Sequence, residues 1–153
     1  MSKADDPVGS DPPAEQVQQA QPAIRRPLVL VIEDEALLAL DLENLLQSSG
    51  YAVAIAADEP AALAVAAQPG AQLAAAIVDL RLQGKTDGRE VIRRLRDRIP
   101  GLPVVVVTGF HPLAPEADLR GIGGPTARLI KPAQGKRLLQ RLEDVILSQT
   151  GVG

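Results

Sequence analysis

The 153-residue sequence predicts an α/β fold, a doubly wound five-stranded parallel sheet with five helices. From residue 28 onward, short apolar runs alternate with longer segments whose apolar residues recur at helical spacing, which is the pattern of β-α units. A hydrophobic content of 46% is enough for one domain with a real core. Open parallel sheets place ligand crevices at the carboxyl ends of their strands, so a functional site is expected there.

Two β-α units are predicted between residues 28 and 69. The run 28–33 is apolar until its last residue, as in a strand covered on both faces. Gly50 ends the following helix, whose buried face repeats leucine at helical spacing: Leu38, Leu42, Leu45 and Leu46. A second strand is predicted over 51–57, and Asp58 then caps an Ala-rich helix that runs to Pro69.

A third β-α unit follows, with a strand over 73–80. Asp87 is placed to cap its helix, and Pro100 and Gly101 close it. The apolar face of this helix is formed by Val91, Ile92, Leu95 and Ile99.

The fourth strand, 102–108, is the most β-prone segment of the chain. Prolines and glycines punctuate residues 112–125, so the helix expected there should be short or irregular. The fifth strand is predicted over 126–130. The last helix is expected to bury Leu138, Leu142, Val145 and Ile146.

The two ends of the chain differ from this middle part. Residues 1–26 are rich in Pro and Gln and poor in branched apolar residues, which predicts a disordered tail. The folded domain is assigned to residues 27–149, and a flexible C-terminus to 150–153.

Composition excludes several function classes. A formal net charge of −3 without a concentrated basic patch argues against direct binding of nucleic acid or of an anionic membrane. Tyr51 and Phe110 are the only aromatic residues, so base-stacking platforms are absent. The chain has no Cys, no apolar run long enough to span a membrane and no signal-peptide core, which predicts a cytoplasmic protein.

Gly84, Lys85 and Thr86 look like the end of a phosphate-binding P-loop. That motif needs a second glycine five residues before Gly84, and the sequence has Asp79 there. A carboxylate at this position would repel the phosphate that backbone amides should wrap. We therefore reject the P-loop and assign Gly84 and Lys85 to a turn.

Polar residues instead collect at the predicted strand ends. Glu33 and Asp34 end the first strand, Asp79 the third, Thr108 the fourth and Lys131 the fifth. Carboxylates that converge in one crevice repel each other unless a hard dication lies between them, and oxygen-rich sites suit Mg²⁺. A lysine and a hydroxyl beside the metal would bind a phosphoryl group, and Asp79 is the natural nucleophile.

The order of an acidic pair, Asp, Thr and Lys-Pro at successive strand ends resembles the receiver domain of two-component response regulators. The resemblance covers residues 28 to about 148 and implies a flavodoxin-like receiver fold. It implies that Asp79 accepts a phosphoryl group from a histidine kinase or phosphotransfer protein, with Thr108 and Lys131 engaging the acyl phosphate. Mg²⁺ would be held by Glu33, Asp34, Asp79 and the backbone carbonyl of Arg81.

By the same resemblance, the chain would be a standalone, single-domain response regulator that relays or buffers a signal through protein contacts. It would be a signalling protein, not an enzyme beyond catalysing its own phosphorylation and dephosphorylation. No organic cofactor is expected, the downstream partner is open, and a monomer or weak dimer is expected.

Three departures from the receiver pattern bear on switching. The loop from Asp79 to Asp87 is one residue longer than usual and has Gln83 where Pro is common. Arg128 stands where an aromatic switch residue is usual. The ending Thr108-Gly109-Phe110 resembles a Thr-Gly-aromatic subfamily served by HWE-type kinases, in which Phe110 would partly replace the missing aromatic.

Alternative hypotheses remain open at this point. The longer loop and Arg128 favour a receiver-like interaction module that no longer turns over phosphate. A haloacid-dehalogenase-type phosphatase is disfavoured, because no D-x-D follows the first strand. The acids at 33–35 could also serve only as a helix cap.

His111 is expected to be solvated, and Leu37 and Leu40 are candidates to dock a partner helix. A basic face, expected to be solvated surface, contains Arg120, Arg128, Lys136 and Arg137.

Overall fold

The computed structural model describes residues 26–70, 72–82, 87–109, 114–115 and 118–150, with only the backbone of residues 149 and 150. Five strands and four helices are found in this part of the chain. In chain order they are β1 (Leu28–Ile32), α1 (Ala36–Ser48), β2 (Ala52–Ala56), α2 (Glu59–Ala67), β3 (Leu73–Asp79), α3 (Gly88–Arg98), β4 (Val104–Thr108), β5 (Thr126–Ile130) and α4 (Gly135–Thr150).

The five strands form one parallel sheet in the order β2-β1-β3-β4-β5. Apolar cores lie on both faces, one built with residues of α2 and α3 and the other with residues of α1 and α4. Because β1, β3 and β4 have neighbours on both sides and helices on both faces, their side chains are almost all buried. The predicted doubly wound fold is confirmed.

The fifth predicted helix lay between β4 and β5. The described residues of that connection contain no α-helix, and residues 110–113 and 116–117 lie outside the description. Residues 1–25 of the predicted tail, residues 151–153, Gln83 to Thr86 and His111 also lie outside it. Among the described residues, no helix is both long and apolar enough to cross a membrane.

Two predicted helix caps are confirmed. Asp58 Oδ1 accepts a hydrogen bond from the Ala61 N–H at 3.0 Å at the start of α2. Asp87 Oδ1 accepts one from the Arg89 N–H at 2.9 Å at the start of α3. Each bond satisfies an amide that the first turn of a helix leaves without a partner.

The predicted buried face of α1 is corrected in part. Of its four predicted leucines only Leu46 is buried, together with Ala39, while the other three are half-buried. These three leucines line a cavity of about 590 Å³ whose walls also include residues of α4 such as Gly135 and Leu138. A Cβ at position 135 would lie 3.2 Å from the Leu45 side chain, so the glycine permits close approach there. Leu42 and Leu45 also pack against the apolar core on this face of the sheet. Helical periodicity alone does not distinguish residues that point at the core from residues that line a cavity beside a neighbouring helix.

Candidate functional site

The strand registers bring the predicted site residues to one edge of the sheet. Ile32 pairs with Val78, Asp79 with Val107, and Thr108 with Ile130. Glu33 therefore follows the end of β1 beside the end of β3, and Lys131 follows the end of β5. β1 and β3 each end one residue earlier than predicted, so that Asp79 is itself the last residue of its strand.

Three carboxylates meet at this edge. Glu33, Asp34 and Asp79 each offer an oxygen, and these oxygens all lie within 4.8 Å of one another. Glu33 and Asp79 are each only 5% exposed. Because like charges this close and this buried are costly, the cluster needs cations. All three donors are carboxylate oxygens, which are the ligands that Mg²⁺ prefers, so the residues fit the predicted metal.

Lys131 supplies a protein cation at the same place. Its Nζ donates a hydrogen bond to Asp79 Oδ2 at 2.8 Å and lies 3.8 Å from Glu33 Oε1. Partial burial works to lower the pKa of Lys131, but the hydrogen bond and charge of Asp79, with the charge of Glu33, outweigh it and raise that pKa. Lys131 is therefore a fully charged ammonium beside the candidate nucleophile.

Glu33 is the member of the cluster whose surroundings disfavour the ionised carboxylate. Burial is the main cause that raises the pKa of Glu33, and the charge of Asp79 adds to it. A hydrogen bond from the Glu35 N–H to Glu33 Oε2, at 3.1 Å, and the charge of Lys131 act in the opposite direction. A divalent ion would favour the ionised carboxylate further.

Thr108 ends β4, the strand next to β3, and Arg81 follows Asp79 by two residues. Thr108 is fully buried, and its carbonyl accepts the Lys131 N–H at 2.8 Å, which joins the end of β4 to the lysine. The Arg81 N–H donates to Asp79 Oδ1 at 2.9 Å. The Arg81 carbonyl as a metal ligand stays a prediction. A cavity of about 540 Å³ opens here and is lined by Glu33, Asp34, Glu35, Asp79, Arg81, Leu82, Gly109 and Lys131.

The helix-cap explanation of the acidic run is weakened by the structure. Glu35 occupies the N-cap position of α1, and its side chain makes no capping bond. Glu33 instead lies in the carboxylate cluster, with the Glu35 amide as one of its partners. Arg128 pairs with Val106 on the sheet, as its place three residues before Lys131 requires. Phe110 lies outside the described residues, and the subfamily assignment stays a prediction.

Sequence reasoning missed the role of Gly88. An added Cβ there would lie 2.7 Å from the Asp79 carbonyl oxygen and 2.7 Å from the Leu80 Cα. The start of α3 thus lies directly against the backbone of the candidate nucleophile. Asp87 predicts where the helix starts, but the approach of the next residue, Gly88, to Asp79 depends on how the loop returns.

Comparison with known proteins finds matches over most of the chain. Residues 29–143 match the family model described as the response regulator receiver domain. The transcriptional regulatory protein FixJ of Bradyrhizobium diazoefficiens is 32% identical over 120 residues, which are 77% of this chain and 56% of that protein. The sensory transduction protein RegX3 of Mycobacterium tuberculosis is 34% identical over 121 residues, 77% of this chain and 50% of that protein. The chain thus spans about half the length of these relatives.

Solved structures show the same fold. A CheY-like response regulator receiver domain protein from Methanospirillum hungatei superposes with a TM-score of 0.74 at 22% identity, covering 84% of this chain and 99% of that one. A response regulator receiver protein from Sinorhizobium medicae gives a TM-score of 0.72 at 25% identity, covering 83% and 99%. The match extends over nearly the whole of each neighbour.

Proposed function

This chain belongs to the response regulator receiver family, and from that premise we propose that it is a Mg²⁺-dependent phosphoacceptor whose acceptor is Asp79. The observation that carries the proposal is the position of this carboxylate. It ends a buried strand, lies in a cluster of three acids and contacts a lysine at 2.8 Å. Such a group is both shielded from water and surrounded by the charges that phosphoryl transfer requires.

The proposed reaction starts from a phosphohistidine of a kinase or phosphotransfer protein. A carboxylate oxygen of Asp79 attacks the phosphorus, an O–P bond forms and the P–N bond breaks, and the imidazole nitrogen keeps the electron pair and takes up a proton. Mg²⁺ bound by Glu33, Asp34 and Asp79 would neutralise charge on the phosphoryl oxygens. The Arg81 carbonyl is proposed as a further ligand.

Lys131 and Thr108 have separate roles in this proposal. The ammonium group leaves Asp79 Oδ2 and contacts a phosphoryl oxygen, where it stabilises negative charge in the transition state. The buried hydroxyl of Thr108 donates to another phosphoryl oxygen. Because the Thr108 carbonyl accepts the Lys131 N–H, a shift of one strand end is passed to the other.

The proposed partner surface lies next to the site on α1. Leu37 is 72% exposed and Leu40 is 48% exposed, although both are large apolar residues. We assign them to contacts with a helix of the phosphoryl donor. The absence of Cys fits a reducing compartment, and we place the reaction in the cytoplasm. Signal relay or buffering by protein contacts, as a monomer or weak dimer, completes the proposal.

The test is intact-protein mass after incubation with acetyl phosphate and Mg²⁺. Wild type should gain a single phosphoryl group, and Asp79→Asn and a chelator-treated sample should gain none. Asp58→Asn is the matched control, because Asp58 caps α2 and is not a member of the carboxylate cluster, so its variant should still be labelled. Undiminished labelling of Asp79→Asn would contradict the proposal.

A second candidate function is a receiver-like interaction module without phosphate turnover. It is favoured by the fact that both Asp79 oxygens are already engaged, Oδ1 by the Arg81 amide and Oδ2 by Lys131. A Mg²⁺ titration followed by calorimetry separates the two candidates. Tight binding that Asp79→Asn abolishes supports the phosphoacceptor, whereas weak binding that ignores the substitution supports the module.

A further inference from the structure

The loop after β3 returns to the backbone of Asp79. Arg81 and Asp87 form an isolated antiparallel bridge, and the Gly88 N–H donates to the Leu80 carbonyl at 3.3 Å. A Cβ at Gly88 would overlap the Asp79 carbonyl oxygen. The first residues of α3 therefore cannot stay in place if the backbone from Asp79 to Arg81 shifts.

Asp87 and Arg89 form one unit at this helix start. Asp87 Oδ1 accepts the Arg89 N–H, while Oδ2 accepts from Nη2 at 2.7 Å and from Nε at 3.0 Å. The Arg89 side chain is 25% exposed. Charge-assisted bonds from two guanidinium nitrogens fix both the orientation of the forked Arg89 guanidinium and its distance from Asp87.

The remaining arm of the fork reaches the connection between β4 and β5. Arg89 Nη1 donates to the Pro115 carbonyl at 3.0 Å and lies 3.4 Å from the Asp118 carbonyl. The Asp118 N–H donates to the Pro115 carbonyl at 3.1 Å, and the Arg120 N–H donates to Asp118 Oδ1 at 3.0 Å. The described part of this connection is thus a small hydrogen-bonded turn held by Arg89.

A continuous hydrogen-bonded route therefore joins the acceptor carboxylate to a distant turn. It runs from Asp79 Oδ1 to the Arg81 amide, across the bridge to Asp87, and through Arg89 to Pro115 and Asp118. We propose that Arg89 is a positioning residue that couples the phosphorylation state of Asp79 to the turn formed by Pro115, Asp118 and Arg120. This inference rests on the proposed function, because it needs Asp79 to be phosphorylated.

The coupling works through the two carboxylate oxygens of Asp79. When one oxygen carries the phosphoryl group and the other would be a ligand of Mg²⁺, the Arg81 amide loses the acceptor geometry that it now has. The bridge partner Asp87 follows Arg81, and the Arg89 fork carries the shift to the two carbonyls that it holds. Coupling of this kind is reciprocal, so a protein that binds the turn would also alter phosphorylation of Asp79.

The alternative is that Arg89 only fastens the turn to α3. Both roles predict a looser turn in Arg89→Ala before phosphorylation. The two roles differ in the effect of phosphorylation. If Arg89 only fastens the turn, its removal does not alter how the turn changes between the unphosphorylated and the phosphorylated protein. The informative quantity is therefore the change in the turn on phosphorylation, measured in each variant at equal labelling of Asp79.

The experiment is hydrogen–deuterium exchange of the full chain, with and without acetyl phosphate and Mg²⁺, read from peptides that contain the amides of Asp118 and Arg120. Wild type should change its exchange rate there on phosphorylation. Arg89→Ala should reach the same phosphoryl mass gain as wild type. The logarithm of its rate ratio, phosphorylated over unphosphorylated, should however be smaller than that of wild type by at least about 80%. Arg89→Lys, with one donor group instead of a fork, should be intermediate.

Arg98→Ala is the matched control, because Arg98 lies exposed in the last turn of the same helix and its variant should behave as wild type. If Arg89→Ala does not fold, Arg89→Lys and Asp87→Asn, which keeps the helix cap, carry the test. A phosphorylated wild type with no change at the turn, or Arg89 variants with the full change, would overturn the coupling. Absence of any phosphoryl gain in wild type would instead overturn the proposed function, and the coupling with it.

Discussion

The Nζ of Lys131 lies 2.8 Å from Asp79 Oδ2, and this ion pair closes the site across the ends of two strands that are not neighbours, β3 and β5. It occupies the place where a phosphoryl group would be attached. Phosphorylation therefore requires the lysine to exchange one anion, the carboxylate, for another, the phosphoryl group. The loss of one charge-assisted bond is offset by the gain of another, so the exchange need not cost much.

Replacing Lys131 by Gln should separate metal binding from phosphoryl transfer. Without the ammonium group, Mg²⁺ meets less repulsion and its affinity should rise several-fold, on the order of 1 kcal/mol. The rate of phosphorylation by acetyl phosphate should fall by about 100-fold, because a donor to the transferred group is lost. Calorimetry measures the first and intact mass the second. Lys136→Gln, at an exposed position, is the control, and unchanged kinetics in Lys131→Gln would contradict the assigned role.

Glu33 should make the metal-free protein less stable as pH rises. Burial raises the pKa of Glu33 above its ordinary value of 4.5, so the folded state binds this proton more tightly than the unfolded state does. The free energy of unfolding therefore falls as pH rises from about 4.5 through the raised pKa. Above that window, Glu33→Gln should raise Tm by about 2–5 °C without metal.

The difference between Glu33→Gln and wild type should shrink at pH values below the ordinary pKa, where both side chains are neutral. Mg²⁺ should restore stability to wild type more than to the variant, because the variant has lost a ligand. Thermal melts at several pH values, with and without metal, test both points. Glu143→Gln, exposed on α4, should show neither effect. If the metal-free variant is less stable than wild type at neutral pH, the ionised Glu33 carboxylate does not destabilise the fold and this prediction is wrong.

The sheet and its site were accessible from sequence for a common reason. Runs such as 28–32 and 104–108 are apolar on both faces, so they indicate central parallel strands, and parallel strands bring their carboxyl ends to one edge. Asp79, Thr108 and Lys131 could be placed together without knowing any side-chain contact. Their convergence also depends on the strand order, in which β1 lies beside β3 and β3 beside β4.

Contacts to distant backbone groups could not be predicted in the same way. Arg96 donates to the carbonyls of Ile122 and Pro125, which follow it by 26 and 29 positions in the chain. Every residue type has a carbonyl, so the sequence does not indicate which ones Arg96 contacts. The half-burial of Leu42 depends on where α4 lies, and the need for glycine at 88 depends on the return of a loop. Periodicity describes an element by itself, whereas these features arise between elements.

Gly88→Ala should destabilise the protein although alanine is the better helix former. Propensity alone would favour alanine by about 0.5–1 kcal/mol. The new Cβ, however, would lie 2.7 Å from two backbone atoms of Asp79 and Leu80, which cannot rotate away. We expect a net loss of about 1–3 kcal/mol in urea unfolding. Gly109→Ala, where an added Cβ meets no atom within 4 Å, should be close to neutral in stability, and equal stabilities would refute the close approach.

Arg96→Ala should lower stability and leave phosphorylation nearly unchanged. The half-buried guanidinium donates five hydrogen bonds, to the carbonyls of Leu102, Ile122 and Pro125 and to Thr126 Oγ1. Partial burial of the guanidinium lowers the pKa of Arg96. Loss of these bonds removes the tie between α3 and the start of β5, where, among the described residues, the Pro125 carbonyl keeps only the Val104 N–H and Thr126 Oγ1 keeps only the Gly123 carbonyl. The expected cost is about 2–4 kcal/mol.

The proposed phosphorylation site should be insensitive to this loss, because Arg96 acts at the opposite edge of the sheet. Thr126 pairs with Val104 at the start of β4, whereas Thr108 and Ile130 pair at its end. Arg96→Lys, which cannot reproduce the fork, should lie between Arg96→Ala and wild type in urea unfolding. Labelling rates with acetyl phosphate, measured well below the unfolding midpoint, should stay within about twofold, since no contact of Arg96 reaches the reacting groups. A large drop in labelling rate with unchanged stability would contradict this prediction and would mean that Arg96 helps to position the reacting groups.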